Sequence, residues 1–211
     1  MTDDGGPLSL QLAEALQAWG WPVVLLRYSP PSMPSHSDRL VPEGVSVAMF
    51  DSLVPDSFSR QFKAFMQQYP PVGGFVDVRP QIVTRDVLCK DRSWTHLRAT
   101  FLAAIHLGAV LRDAATEGRA LFATVTRMDG ALGLAGGGDF DPLDGGYSGL
   151  VKTLHTEWPD VFCRAIDLDP TCETDRAAEW ILRELQDPNR RLVEVGWRAG
   201  RRVTLEALEE D

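Results

Sequence analysis

The sequence predicts a three-layer α/β domain, a mostly parallel sheet with helices on both sides. Helix-period and strand-like segments alternate along the chain. The strand candidates are nearly continuous apolar runs, as expected of strands covered on both faces. Most joining segments are only a few residues long. With 211 residues, 44% of them hydrophobic, the chain has the size and composition of one folded domain. Residues 1–208 are read as that domain and 209–211 as an acidic tail.

Leu8, Leu10, Leu12, Ala13, Ala15 and Leu16 recur at helical spacing, and Gly20 stands at a helix-stop position. Pro22 to Tyr28 (PVVLLRY) is the first strand, and Ser29 to Pro42, with four prolines, an exposed loop. Val45 to Phe50 is a second strand, Ser57 to Tyr69 an aromatic-rich helix, and Gly74 to Val78 (GFVDV) a third strand. A long amphipathic helix from Trp94 to Ala115 leads to the strand Ala120 to Thr126. The Gly-rich loop Gly130 to Gly146 opens into a helix from Tyr147 to Glu157, closed by Pro159. Phe162 to Leu168 is a strand and Thr174 to Leu185 a helix. Leu192 to Trp197 and Val203 to Leu208 are short strand-like pieces, with Gly200 in the turn between them. This order gives a truncated Rossmann-like three-layer fold. It is truncated because only Met1 precedes Thr2, where a full first strand belongs.

The charge balance of 21 basic and 30 acidic residues gives −9, which repels phosphate backbones and anionic lipid heads. No nucleic-acid and no membrane partner is expected, and no apolar stretch approaches the length of a membrane span. Three cysteines (Cys89, Cys163, Cys172), without metal-ligand spacing, suit reduced thiols in a cytoplasmic protein.

A dinucleotide-binding fold seats the pyrophosphate on a glycine-rich first turn, because a side chain there would block the backbone. The short-chain reductase form reads Thr-Gly-x-x-x-Gly-x-Gly. Aligned on Thr2, with Ala13 and Leu16 at their helix positions, the three glycines become Asp3, Pro7 and Ser9. Asp3 and Asp4 add two negative charges, each repelling an anion by about 1 kcal/mol or more depending on the dielectric. The expectation is a helix start capped by its own Asp residues, with no cofactor; a shifted glycine pair, Gly5–Gly6, is the cofactor-binding alternative.

Reductases of this kind pair a proton-donating Tyr with a Lys four residues on, about 400° of helix, so that both share a face. Tyr147 and Lys152 lie five apart, about 140° off, and diverge. Thr126 stands where the reductase serine is expected. His36 falls in the Pro/Ser loop, while His96, His106 and His155 lie in helical patterns with no cysteine or carboxylate at ligand spacing. Asp139 and Asp141 are read as turn residues rather than a metal site. No catalytic, cofactor-binding or metal residue is assigned.

Gly149 to Pro159 (GLVKTLHTEWP) resembles the corresponding helix of modular ketoreductase domains, in their N-terminal structural half. Phe162 to Leu168 is similar to the strand that follows it there, and Val125 to Gly130 and Leu192 to Trp197 also match. The resemblance runs from Thr2 to Leu208 and is to ketoreductase regions of polyunsaturated-fatty-acid and polyketide synthases. It implies a non-catalytic structural half, not an enzyme on its own. That half packs against a catalytic ketoreductase half bearing the NADPH loop and the Ser/Tyr/Lys set, with an acyl carrier protein as a further partner. The alternative is a divergent NADPH-dependent short-chain reductase of β-ketoacyl thioesters, using Tyr147 and Lys152. An exposed apolar patch on the isolated chain is expected of the first reading.

Overall fold

The computed structural model describes residues 1–28, 40–69, 71–80, 87–136 and 140–206, with backbone alone for 87–90. Helix α1 (Pro7–Ala18) leads to β1 (Val24–Tyr28), β2 (Ser46–Phe50), α2 (Pro55–Gln68) and β3 (Gly74–Val78). Next come α3 (Val87–Glu117), β4 (Leu121–Thr126), a 3-10 turn (Pro142–Asp144) and α4 (Gly145–Glu157). The chain continues through β5 (Phe162–Leu168), α5 (Thr174–Gln186), β6 (Glu194–Arg198) and β7 (Arg201–Val203). β1 and β2 pair in parallel, and β3-β4-β5-β6 form a parallel run that β7 closes antiparallel.

Met1 to Asp3 join the two sheets. Leu26 donates its N–H to the Met1 carbonyl (2.8 Å), Asp3 N–H donates to the Leu26 carbonyl (3.0 Å), and Thr2 N–H donates to the Val76 carbonyl (3.0 Å). The missing first strand is thus a three-residue stub between β1 and β3, parallel to β1. The order β2-β1-stub-β3-β4-β5-β6 is that of a doubly wound dinucleotide fold, and the three-layer fold with a mostly parallel sheet agrees with the sequence expectation.

Two apolar layers enclose the sheet. On one face α2, α3 and α4 cover a core that includes Phe50, Phe58, Phe62, Phe122 and Trp158. On the other, α1 and α5 cover Leu25, Val78, Val125, Ile166 and Val195. Gly108 of α3 is glycine for a packing reason: an added Cβ would stand 2.9 Å from the Trp158 ring.

The final hairpin starts two residues earlier than its sequence pattern suggests. Ala199 and Gly200 both take positive φ (47° and 76°), the two-residue turn that matches strand twist, so Arg201 pairs with Arg198. The Pro/Ser loop centred on His36 and the acidic tail 209–211 lie outside the described residues. Beneath the hairpin, Arg164, wholly buried on β5, donates to Glu184 (2.6 Å), Asp187 (3.2 Å) and the Asn189 carbonyl (2.9 Å). Arg202 of β7 and the Trp197 indole N–H close on the same Glu184 carboxylate, at 2.7 and 3.0 Å. This network ties β5, α5 and the hairpin together.

Candidate functional site at the carboxyl ends of the strands

Open parallel sheets bind ligands beyond the carboxyl ends of their strands, where the strand order reverses. Here that point lies between the stub and β3. The opening loop beside it is filled from within. Asp3 accepts from Gly5 N–H (3.0 Å), the Ser9 hydroxyl (2.8 Å) and Arg27 Nε (2.8 Å). Asp4 accepts from Gly6 N–H (2.9 Å), Ser9 N–H (3.3 Å) and the Ser9 hydroxyl (2.6 Å). Asp4 therefore takes the first amides of α1, although the N-cap residue itself is Gly6. A Cβ on Gly6 would meet the Asp4 carboxylate at 2.8 Å, so the Gly5–Gly6 pair serves the loop's own fold. Two buried carboxylates stand where the pyrophosphate of a dinucleotide would lie, and the donors it needs are already engaged. The opening loop does not fit that group.

The reductase pair is separated as the helical spacing predicts. Tyr147 is 1% exposed and points into the protein, whereas Lys152, its side chain 55% exposed, pairs with Glu194 of β6 at 3.2 Å. Thr126 donates to the Asp167 carboxylate at 3.0 Å. That carboxylate also accepts Met128 N–H (2.7 Å) and Leu132 N–H (2.9 Å), folding the loop after β4 around itself. Burial raises the pKa of Asp167 against the pull of those amides. Asp129 accepts three N–H groups of the same loop, from Ala131, Gly133 and Ala135, at 2.8, 2.8 and 2.9 Å.

A polar cluster missed by local spacing lies between β3, α3 and α4. Asp77, wholly buried, has one carboxylate oxygen 3.1 Å from His96 Nε2 and accepts the Thr100 hydroxyl on the other at 2.9 Å. The His96 ring stands between two phenols, 6.4 Å from the Tyr28 centroid and 6.1 Å from that of Tyr147. Burial, then the Asp77 charge, raises the pKa of both tyrosines well above the usual phenol value. The Arg79 guanidinium lies 5.9 Å from the Tyr147 ring, donates to Ser93 (2.8 Å) and pairs with Asp144 and, at 3.5 Å, Asp141. The cation beside Tyr147 is therefore Arg79, the residue that follows β3. The cluster thus gathers a histidine–carboxylate pair, a buried phenol and a permanent guanidinium charge in one place.

No sequence signal within one element could reveal this cluster, because Asp77 and His96 are nineteen positions apart and meet only through the packing of α3 on β3. His96 thus has the carboxylate partner that helical spacing alone did not supply. His106 stacks on Phe58 and Phe62, at 5.7 and 5.2 Å, and His155 is half-buried on α4. His36 and Asp139 fall outside the described residues, as does the Cys89 side chain, while Asp141 caps the 3-10 turn by accepting Leu143 N–H at 3.0 Å. Cys163 and Cys172 are free thiols. Among the described residues no group of His, Cys, Asp or Glu is arranged to hold a metal, and no helix is long and apolar enough to cross a membrane.

No protein-family model matches the chain. Over 216 residues, 99% of this chain, it is 26% identical to a polyunsaturated fatty acid synthase subunit of Thraustochytrium sp., and it spans 7% of that protein's length. Among solved structures it is similar to an apo SCOR enzyme from Clostridium thermocellum, with a TM-score of 0.64, 12% identity, and coverage of 89% of this chain and 85% of that one. It is also similar to a short chain dehydrogenase from Leptospira borgpetersenii with bound NAD+ (TM-score 0.62, 10% identity, 92% and 87% covered). A third is an oxidoreductase of the short chain dehydrogenase/reductase family from Burkholderia thailandensis (TM-score 0.63, 15% identity, 91% and 86% covered).

These likenesses correct one expectation, that the chain is not an enzyme on its own. The structures sharing its fold are described as enzymes of oxidoreduction. That expectation came from the resemblance to a structural half, together with the opening loop and the Tyr147–Lys152 spacing. The chain has a short-chain dehydrogenase/reductase-like fold and is a distant relative of a polyunsaturated-fatty-acid synthase subunit.

Proposed function

We propose that the chain is a ketoreductase-region unit, serving the reduction of β-ketoacyl thioesters in a polyunsaturated-fatty-acid or polyketide synthase. The observation that carries this reading is the alignment of nearly the whole chain with a synthase subunit, on a fold shared with reductases. In this reading the unit itself carries out the reduction, a second reductase-fold unit packs against it, and an acyl carrier protein brings the substrate. The self-filled loop from Asp3 to Ser9 supports a dinucleotide seated elsewhere. The outer face of α3 supports a partner: Trp94, Phe101 and Ile105 are 59%, 42% and 71% exposed. Their spacing of seven and four places them within about 40° of one another around the helix.

Reduction by the unit itself is supported by the Arg79 guanidinium beside the Tyr147 ring. One experiment tests both the reduction and the packing. NADPH-dependent reduction of an acetoacetyl thioester is measured in the whole synthase polypeptide, in the same polypeptide carrying Phe101→Asp and Ile105→Asp, and in this chain alone. The reading predicts a loss of at least tenfold in the double variant, with the isolated chain's melting temperature unchanged by the same substitutions. Undiminished reduction contradicts it. Turnover by the isolated chain, lost in Tyr147→Phe, is the result expected of a unit that reduces on its own, and its absence contradicts that part.

A further inference from the structure

The two outermost strands are built in opposite ways. β7 carries Arg201 and Arg202 among its three residues, and charge on an outer strand discourages further pairing. β2 reads Ser-Val-Ala-Met-Phe over Ser46–Phe50, with no ionisable side chain and no proline, and Met49 is 55% exposed. Neither charge nor proline guards that edge.

The backbone sets how the edge can pair. Residues of a strand direct their N–H and C=O groups to alternate sides. Ser46 donates to the Val23 carbonyl at 3.1 Å, so Ser46, Ala48 and Phe50 face β1, while Val47 and Met49 face outward. The Val47 carbonyl accepts the Tyr69 hydroxyl at 3.3 Å and keeps a second lone pair. Among the described residues the Val47 N–H and both backbone groups of Met49 meet no partner. On either side the edge is closed. Val45 N–H donates to the Pro42 carbonyl (3.1 Å), and Asp51 N–H to Gln61 Oε1 (2.8 Å).

We propose that β2 pairs with β2 of a second copy of this chain, antiparallel about a twofold axis through Ala48. Residues opposite one another in such a ladder can exchange both N–H···O bonds. With Val47 of each copy opposite Met49 of the other, two such pairs give four hydrogen bonds and every open group is met. An axis through Val47 or through Met49 would instead draw in Val45 or Asp51, whose amides are engaged. Ala48 meets Ala48 on the axis, in a pair without hydrogen bonds, where side chains approach most closely and a small one fits. Asp51 falls opposite Val45, so two chains of net charge −9 join with no like charges in register. The sheet then runs unbroken through both copies. This pairing goes beyond the reductase reading and stands apart from it.

Sedimentation and amide hydrogen exchange from low to high micromolar concentration test it. They are measured on the original chain, on Met49→Lys, on Met49→Pro, and on Phe101→Asp with Ile105→Asp. The lysine guards the edge and the proline removes an outward donor, and both leave the ladder to β1 intact. The proposal predicts a dimer at high concentration, with the Val47 and Met49 amides exchanging at least tenfold more slowly than at low concentration. Both Met49 variants should stay monomeric, with the melting temperature that the original chain has at low concentration, while the α3 double variant still dimerises. A chain that is monomeric throughout overturns the proposal. So does a dimer that survives both Met49 substitutions, or one that dissolves only in the α3 variant. Slowing of the two amides in a monomer by the peptide Thr-Val-Thr-Val-Thr, with no dimer formed, marks an acceptor of foreign strands and overturns it as well.

Discussion

Arg27 is a buried cation whose Nε donates to the Asp3 carboxylate at 2.8 Å, and it fixes the charge of the opening loop. Removing one partner of a buried pair leaves the other charge uncompensated. Arg27→Met is therefore expected to destabilise the chain by about 3 kcal/mol in urea unfolding. Tyr28 behaves in the opposite way, since its buried hydroxyl makes no hydrogen bond among the described residues. Tyr28→Phe should be neutral or stabilising by up to about 1 kcal/mol. These two residues show where sequence reading ends. The replacement of glycines by Asp3, Pro7 and Ser9 was legible because it is local. The partners of Asp3, and the meeting of Asp77 with His96, arise between elements far apart in the chain.

Among the elements, β3 and β5 coincide with the sequence boundaries, because unbroken apolar runs flanked by turns leave little choice of register. The final hairpin shifted because its turn depends on two positive φ values, one at Ala199, a residue that carries no turn signal. The Arg164 network holds that hairpin to α5. Glu184 accepts from Arg164, Arg202 and Trp197, so Glu184→Ala should cost about 3 kcal/mol and free the hairpin amides of Gly196 and Val203 to exchange earlier than those of β4.

For the whole molecule, acid and base weaken the fold through different groups. Burial pushes the Cys163 thiol up to about 12 from its ordinary 9.0, and the Tyr28 and Tyr147 phenols rise with burial and the Asp77 charge. The unfolded chain releases these protons first, so their contribution is whole below pH 9 and declines as the pH rises through and beyond that value. On the acid side, Thr171 hydrogen bonds hold Asp169 below its ordinary 3.8, so its contribution is whole above that value and is lost as the pH falls. Urea midpoints measured from pH 8 to 10.5 should fall steadily, less steeply in Cys163→Ala; a flat profile contradicts the assignment. At this scale the alternation of helix and strand made the layers legible, whereas the joining of two sheets by Met1 to Asp3 depended on hydrogen bonds that no periodicity encodes.

A structure of the complete ketoreductase region with NADPH bound tests the central claim most directly. It should show the α3 stripe of Trp94, Phe101 and Ile105 buried against a second reductase-fold unit, with no pyrophosphate on residues 3–9. A stripe bare to solvent, or a pyrophosphate resting on residues 3–9, would contradict it.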